Sequence, residues 1–567
     1  MKRLPARNLF NGDCNFLFYN PELWQPEGGP YAAKAIHRYV ALLAASGVDT
    51  LLVNPNTQVV WYPSRQLETV FQGYRRGHRR FIARIAAANA ALTAPQVEHY
   101  IDVMTELFDR YLDLQEAGVD WLAECARACR QQGVAPWLSY RMNATHFSGA
   151  PASPVNCRLF REPRNRLSGR FPGARPRRDH AWLGLNYGRQ AVRDHMFAMI
   201  REGVEVYDYE GLELDWLRHP LGVEAPASAR DTGMMTAWIS DLRTLTRARR
   251  RSYPFGLRVP GNLAYLRRIG LDLPEMARRG LLDFVSFSNY WQTPWTMPLD
   301  ELRRALGPDI RIYGGIEGAP NWLAAAAPSL TERPAYQELQ LAGDGAVAST
   351  AAARRPATVR GTRYLPASAP FLRGNAAGKL VLNVDGIETF NFFVTDQVRV
   401  PAQRADYGAL RGLADLAALR GTEKHYTFNT ASGHAHEWWD APMDFPSRIP
   451  AGQSRTFRLP MCAEPAAAGL HLLVQVIVTA PANGRTLGVS LNAHGPVFSG
   501  RATTSLVFPS GPYRCHVPQH RAWNFRFPTA SLHDGWNAIT VHHDGLHPLD
   551  LVCLELAVKK SRSAAKT

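Results

Sequence analysis

No run of about 18 apolar residues occurs in this chain of 567 residues, so neither a membrane-spanning helix nor a membrane partner is expected. Cysteine is sparse: seven residues, at 14, 125, 129, 157, 462, 515 and 553, without paired spacing or a nearby histidine cluster. That scatter argues for buried free thiols and against a zinc site, so no metal is expected. No glycine-rich phosphate turn follows the first strand-like run, which argues against a dinucleotide fold, and no cofactor is expected. A Gly-x-Ser-x-Gly nucleophile turn is absent as well. The segment Met1–Asp13 is charged and lacks an apolar stretch and a cleavage site. A cytoplasmic location is expected for the sequence as it stands, and secretion if a leader precedes it.

Positive charge, by contrast, is in excess. The formal net charge is +16, much of it in two clusters. One is Tyr74-Arg-Arg-Gly-His-Arg-Arg80; the other, Arg158 to Arg178, holds eight arginines interrupted by Pro and Gly. Such loops suit an anionic partner, or are simply solvated charge. No nucleic-acid-binding motif accompanies them, and nucleic acid is not the expected partner.

From the start to about residue 395, apolar strand-like runs alternate with amphipathic helical runs, the pattern of a parallel α/β fold. The predicted strands are Asn8–Phe18, Val48–Asn54, Val134–Arg141, Gly211–Trp216, Phe255–Val259, Phe284–Tyr290, Ile310–Ile316 and Gly386–Phe393. Helices are predicted between them, including one long helix, Gln96–Gln132, and a last one over 406–424. Eight such units predict a (β/α)8 TIM barrel over 1–425. Three long connections, 55–95, 143–185 and 318–368, each follow a strand and so belong to the C-terminal face. Beyond about 430, short β-rich runs separated by turn residues predict an all-β, jelly-roll-like sandwich over 426–560, with Leu532–Val541 in its last hairpin. A disordered basic tail is expected over 561–567.

The stretch Gly211-Leu-Glu-Leu-Asp-Trp216 carries the densest chemical signal. Leu212, Leu214 and Trp216 alternate with Glu213 and Asp215, so both carboxylates share one face of a buried strand. Burying charge is costly unless it is paired or used. The alternative is a structural ion pair, with Arg218 or another cation as partner. In a barrel, the strand ends converge on one pocket. They would deliver Asp13, Asn54, Arg141, Asn143, His146, Asp215 with Glu213 one layer deeper, Arg258, Tyr290, Trp291, Glu317 and Glu388. Hydrogen-bonding side chains, aromatics and two separated acids suit a sugar: one carboxylic acid protonates the leaving oxygen, and a second carboxylate attacks or activates water. Asp215 and Glu317, on strands four and seven, are the expected pair.

Gly211-Leu-Glu-Leu-Asp-Trp-Leu-Arg-His-Pro220 resembles the fourth-strand motif of the glycosyl-hydrolase-like TIM-barrel proteins. Ser139-Tyr-Arg-Met-Asn143, Leu185-Asn-Tyr187 with Val192-Arg-Asp194, and Asp385–Phe392 are similar to other strand-end motifs of that group. The resemblance spans residues 8–425. It implies a glycoside hydrolase acting on an oligo- or polysaccharide, with Asp215 as candidate acid. Glu317 resembles the nucleophile position of the retaining barrel clan, and the sandwich resembles the accessory β domains behind such barrels. Arg141, Asn143, Asn186, Tyr290 and Trp291 are expected to hold the substrate, with Asp13, Asn54, His146, Glu213 and Glu388 lining the site. Because both arginine clusters follow barrel strands, an acidic glycan is the expected substrate class. The competing readings are a non-catalytic carbohydrate-binding barrel and a polysaccharide lyase.

Overall fold

The computed structural model describes residues 6–13, 16–18, 21–86, 94–145, 149–168, 183–289, 293–317, 368–392, 405–429, 444–479, 486–503, 507 and 520–560. Eight parallel strands close into a barrel in chain order. They are β1 (Asn8–Gly12), β2 (Thr50–Val53), β3 (Ala135–Arg141), β4 (Gly211–Asp215), β5 (Phe255–Pro260), β6 (Phe284–Ser288), β7 (Arg311–Glu317) and β8 (Gly386–Phe390), and β8 pairs back onto β1.

Alternation along the strands sorts the barrel interior into layers. The lowest is an apolar plug of Leu9, Leu52, Trp137, Phe284 and Tyr313. Gly211 and Gly256 make room for it: a Cβ there would lie 2.6 Å from the Trp137 ring and 2.5 Å from the Phe284 ring. Two residues on, Asn11, Ser139 and Ser286 of these strands are joined by Glu213 of β4 and Glu388 of β8. Two residues further come Asp13, Arg141, Asp215, Ser288, Glu317 and Phe390, with Arg258 of β5 joining the two polar layers by its contacts. The barrel is therefore sealed at its base and polar towards its C-terminal mouth.

The expected helix Gln96–Gln132 is in fact two, Ala94–Glu116 and Trp121–Gln131. Gly118 turns the chain at φ +71°, and the Asp120 carboxylate caps the second helix through Leu122 N at 3.0 Å. The expected last helix over 406–424 is likewise replaced by two short turns, Tyr407–Leu410 and Leu416–Leu419, with Gly412 at φ +69° between them. No helix among the described residues is long and apolar enough to cross a membrane.

A β-sandwich follows. Its strands are β9 (Lys424–Tyr426), β10 (Ser447–Ile449), β11 (Ser454–Met461), β12 (Leu470–Thr479), β13 (Leu487–Leu491), β14 (His494–Ser499), β15 (Ala502–Thr503), β16 (His520–Pro528), β17 (Gly535–His543) and β18 (Leu549–Lys560). One sheet runs β10-β18-β12-β16-β15, with β9 also on β18; the other runs β11-β17-β13-β14. The segment expected in a final hairpin enters β17, but β18 lies in the other sheet, so this connection crosses between sheets.

The helix Ala369–Leu380, between β7 and β8, joins barrel to sandwich and is buried over most of its length. Gly374 and Gly378, one turn apart, let both sheets approach its backbone. A Cβ at Gly374 would lie 2.1 Å from the His425 carbonyl oxygen, and one at Gly378 would lie 2.6 Å from that of Pro460. Gly374→Val should therefore destabilise the protein by about 1–3 kcal/mol or more, as overpacking against backbone does. Gly233→Ala, in open space on the helix Ala229–Arg249, should instead gain about 0.5–1 kcal/mol. Denaturant unfolding of the two variants checks both signs.

Candidate functional site

The polar layers of the barrel are built around one cation. Arg258, on β5, is 2 % exposed and contacts three carboxylates from three other strands. Its guanidinium reaches Asp215 Oδ1 of β4 at 3.1 Å and Glu317 Oε1 of β7 at 2.5 Å through adjacent nitrogens, and Glu388 Oε1 of β8 through Nε at 3.4 Å. The Phe390 ring lies 3.8 Å from the guanidinium carbon and covers its face.

Each acid is held differently. On Asp215, Oδ1 accepts from Arg258, from Leu217 N at 2.9 Å and from Arg218 N at 3.2 Å. Its Oδ2 has no hydrogen-bond partner among the described residues. Glu317 Oε1 accepts from the Ser288 hydroxyl at 2.9 Å. Glu213 and Glu388 lie one layer deeper and share the Asn11 amide, at 2.8 and 3.0 Å. Ser139 donates to Glu213 at 2.8 Å, and Ser286 donates to Glu388.

The crowding of acids governs their protonation. Burial pushes the Glu317 carboxyl up to about 7; Arg258 and Ser288 oppose this, and the charges of Asp215 and Glu388 add to it. Burial, then the neighbouring Glu388 and Asp215, push Glu213 well above the usual carboxylate range. At the mouth, burial acts to raise Asp13, but the charges of Arg141 and Arg218 outweigh it and hold the carboxyl below its ordinary value. Asn391, just past β8, lies between the two: with its amide nitrogen turned to Asp13, it donates to Oδ2 at 3.2 Å and accepts from Arg218 at 3.3 Å.

No family model matches the chain, and no curated protein does. Similar solved structures include a Paenibacillus cycloisomaltooligosaccharide glucanotransferase, at 9% identity over 97% of this chain and 58% of that one, with a TM-score of 0.31. An Anoxybacillus α-amylase matches at 9% identity over 99% and 100% of the two chains, with a TM-score of 0.35. An α-L-fucosidase isoenzyme from Paenibacillus thiaminolyticus matches at 10% identity over 67% and 45%, with a TM-score of 0.36. This chain thus spans little more than half the length of the first and under half of the last. Scores of this size do not establish a shared fold, and the barrel rests on its own strand pairing.

Asp215, Glu317, Glu213 and Glu388 come together as the strand alternation implies. The cation beside Asp215, expected to be Arg218 or another, is Arg258. Arg141 pairs instead with Asp13. Glu213 and Glu388, expected to line the site, are fully buried beneath the upper acids. Three asparagines expected around the substrate hold backbone. Asn54 donates to Ser139 O at 2.7 Å. Asn143 ties Leu185 and Leu221 through its amide, at 2.9 and 3.2 Å. Asn186 accepts from Gly188 N at 2.8 Å, before the helix Gln190–Val206. His146, Tyr290 and Trp291 lie outside the described residues. Trp295, from the same loop, is buried edge-on against Phe371, with ring centroids 4.9 Å apart.

The rim arginines are partly neutralised. Arg76 pairs with Asp113 and Glu116, Arg79 with Glu98 and Asp102, Arg158 with Glu68, and Arg164 with Glu162. Arg75, Arg80 and Arg161 are exposed. A cavity of about 420 Å³ lined by Glu22, Gln25, Tyr31, Asp109, Arg110 and Asp113 lies outside the barrel. Its acids are engaged: Asp109 accepts from Tyr74 Oη at 2.7 Å, and Asp113 from Tyr31 N at 2.8 Å.

Removing Arg258 would leave three buried carboxylates without their common cation. Arg258→Met should cost about 3–5 kcal/mol near neutral pH, and less at pH 5, where Glu317 holds a proton. Wild-type Glu317 carries a related signature. Its raised folded-state value contributes stability that is present below the ordinary glutamate range and lost as pH rises through about 7. Glu317→Gln should flatten that part of the stability profile, measured by urea unfolding between pH 4 and 8.

Proposed function

We propose that the protein is a retaining glycoside hydrolase, with Asp215 as nucleophile and Glu317 as general acid and base. The observation that carries the reading is the Arg258 bridge: one guanidinium touches both carboxylates through neighbouring nitrogens. One shared guanidinium permits a short separation of the two acids, and a short separation belongs to retaining enzymes, while inverting enzymes hold theirs far enough apart to admit a water.

The role of each acid follows from its surroundings. Asp215 commits Oδ1 to three N–H donors, and its buried Oδ2, without a hydrogen-bond partner among the described residues, is the oxygen left for attack on an anomeric carbon. Glu317, raised to about 7, holds a proton to give at near-neutral pH. In the first step Asp215 Oδ2 bonds to the anomeric carbon, the glycosidic C–O bond breaks, and the Glu317 proton passes to the departing oxygen. In the second, the Glu317 carboxylate takes a proton from water, whose oxygen displaces Asp215. This reverses the roles that the fourth-strand resemblance implies. The proposal extends to acidic glycans through the exposed Arg75, Arg80 and Arg161; turnover of such a substrate should weaken as salt is raised.

The test is product release from neutral and acidic glycans. Wild type should release product with retained anomeric configuration by NMR, on a rate profile that falls off near pH 7. Asp215→Asn and Glu317→Gln, both folded, should each lose about 10²–10⁴-fold in kcat. Inverted product, or turnover that survives both changes, contradicts the assignment. Binding of glycans with no turnover would instead favour a non-catalytic barrel.

A further inference from the structure

The segment 293–297, which follows β6, is fastened on both sides. Inward, the Thr293 hydroxyl donates to the backbone oxygen of Glu317 at 2.9 Å, at the end of β7. Pro294 O accepts from Asn375 Nδ2 at 3.1 Å and Lys379 Nζ at 2.7 Å, both on the joining helix Ala369–Leu380. Met297 closes over Gly261, just beyond the strand of Arg258: a Cβ there would lie 2.6 Å from Met297 Sδ.

Outward, the partners belong to the sandwich. Trp295 N donates to Asn429 Oδ1 at 2.7 Å, and Asn429 Nδ2 donates to the Thr296 hydroxyl at 2.5 Å. The Thr296 hydroxyl donates to Asp444 Oδ2 at 2.9 Å, and the same oxygen accepts from Asn429 N at 3.0 Å. Asn429 follows β9 and Asp444 precedes β10, two strands that both pair with β18. Thr293, Asn429, Asn375 and Lys379 are all buried. Burial pushes the Lys379 amine well below the usual lysine range, and its N–H remains a donor to Pro294 O.

We propose that the β-sandwich is a positioning element for the candidate site. Through Asn429 and Asp444 it holds segment 293–297 against the end of β7, and so fixes the backbone that carries Glu317. The catalytic consequence rests on the hydrolase reading above; the mechanical one does not. Asn429 and Asp444 are positioning residues, since neither touches the acids.

Hydrogen exchange on the full chain tests this directly, comparing wild type, Asp444→Ala, Asp444→Asn and Asn537→Ala. The Asn537 side chain bonds within the other sheet, to His533 O at 2.8 Å and Gly535 O at 2.9 Å. Asp444→Ala should speed exchange across 293–297 and the end of β7 by about ten-fold or more. Asp444→Asn, which keeps an acceptor oxygen, should recover most of the protection, and Asn537→Ala should leave both segments unchanged. On any glycoside that wild type cleaves, Asp444→Ala should lower kcat by about ten-fold or more with KM within about two-fold. Unchanged exchange in folded Asp444→Ala, or equal loosening by Asn537→Ala, overturns the proposal. Faster exchange with unaltered kcat overturns its catalytic half. Faster exchange in a protein that cleaves no glycoside supports the brace while sinking the hydrolase reading.

Discussion

A single guanidinium buried among carboxylates is the constraint on which the rest of this architecture depends. Arg258 contacts Asp215, Glu317 and Glu388, and Glu213 lies close enough for its field to be felt. Four acids against one base cannot all be ionised cheaply in a dry interior. The response is layered. Asn11, Ser139, Ser286 and Ser288 supply neutral donors, Phe390 shields the guanidinium face, and burial holds Glu213 and Glu317 towards their protonated forms. Stability is given up to keep acids of different character side by side, which is the condition for acid–base chemistry at near-neutral pH.

The scaffold supplies what that cluster needs. Below it, aromatic and aliphatic side chains plug the barrel, with glycines opposite the rings. Above it, loops after several strands are tied down through asparagine amides, at Asn54, Asn143 and Asn186. On the β6–β8 side, the buried helix Ala369–Leu380 and the segment 293–297 connect the strand of Glu317 to the sandwich. The site is thus held by rigid elements from below and by hydrogen-bonded loops from around.

Much of the barrel was legible because buried strands and amphipathic helices leave strong periodic traces. All eight strands were placed, and errors fell at their ends, where Phe16–Phe18 and Trp216 continue an apolar pattern after pairing has stopped. The break at Gly118 was hidden by a continuous helical pattern on either side. In the sandwich, Trp523, Phe525 and Phe527 of β16 alternate with Asn524 and Arg526, the trace of a strand with one buried face. The inward alternation on β4 exposed Glu213 and Asp215. The centrality of Arg258 was not legible: it depends on β5 lying beside β4 with Arg258 in register with Asp215, a relation between distant segments. Asn11, Ser286 and Ser288 could have been found by counting back two residues from Asp13 and forward two and four from Phe284. The asparagines misled, because residues that hydrogen-bond sugars are equally suited to holding backbone.

The most direct test of the central claim is covalent trapping. The protein would be incubated with a 2-deoxy-2-fluoro glycoside bearing a good leaving group, and the labelled peptide sequenced by mass spectrometry. The account predicts one adduct, on Asp215, absent from Asp215→Asn. An adduct on Glu317, Glu388 or Glu213, or turnover of the parent glycoside with no adduct formed, would contradict it.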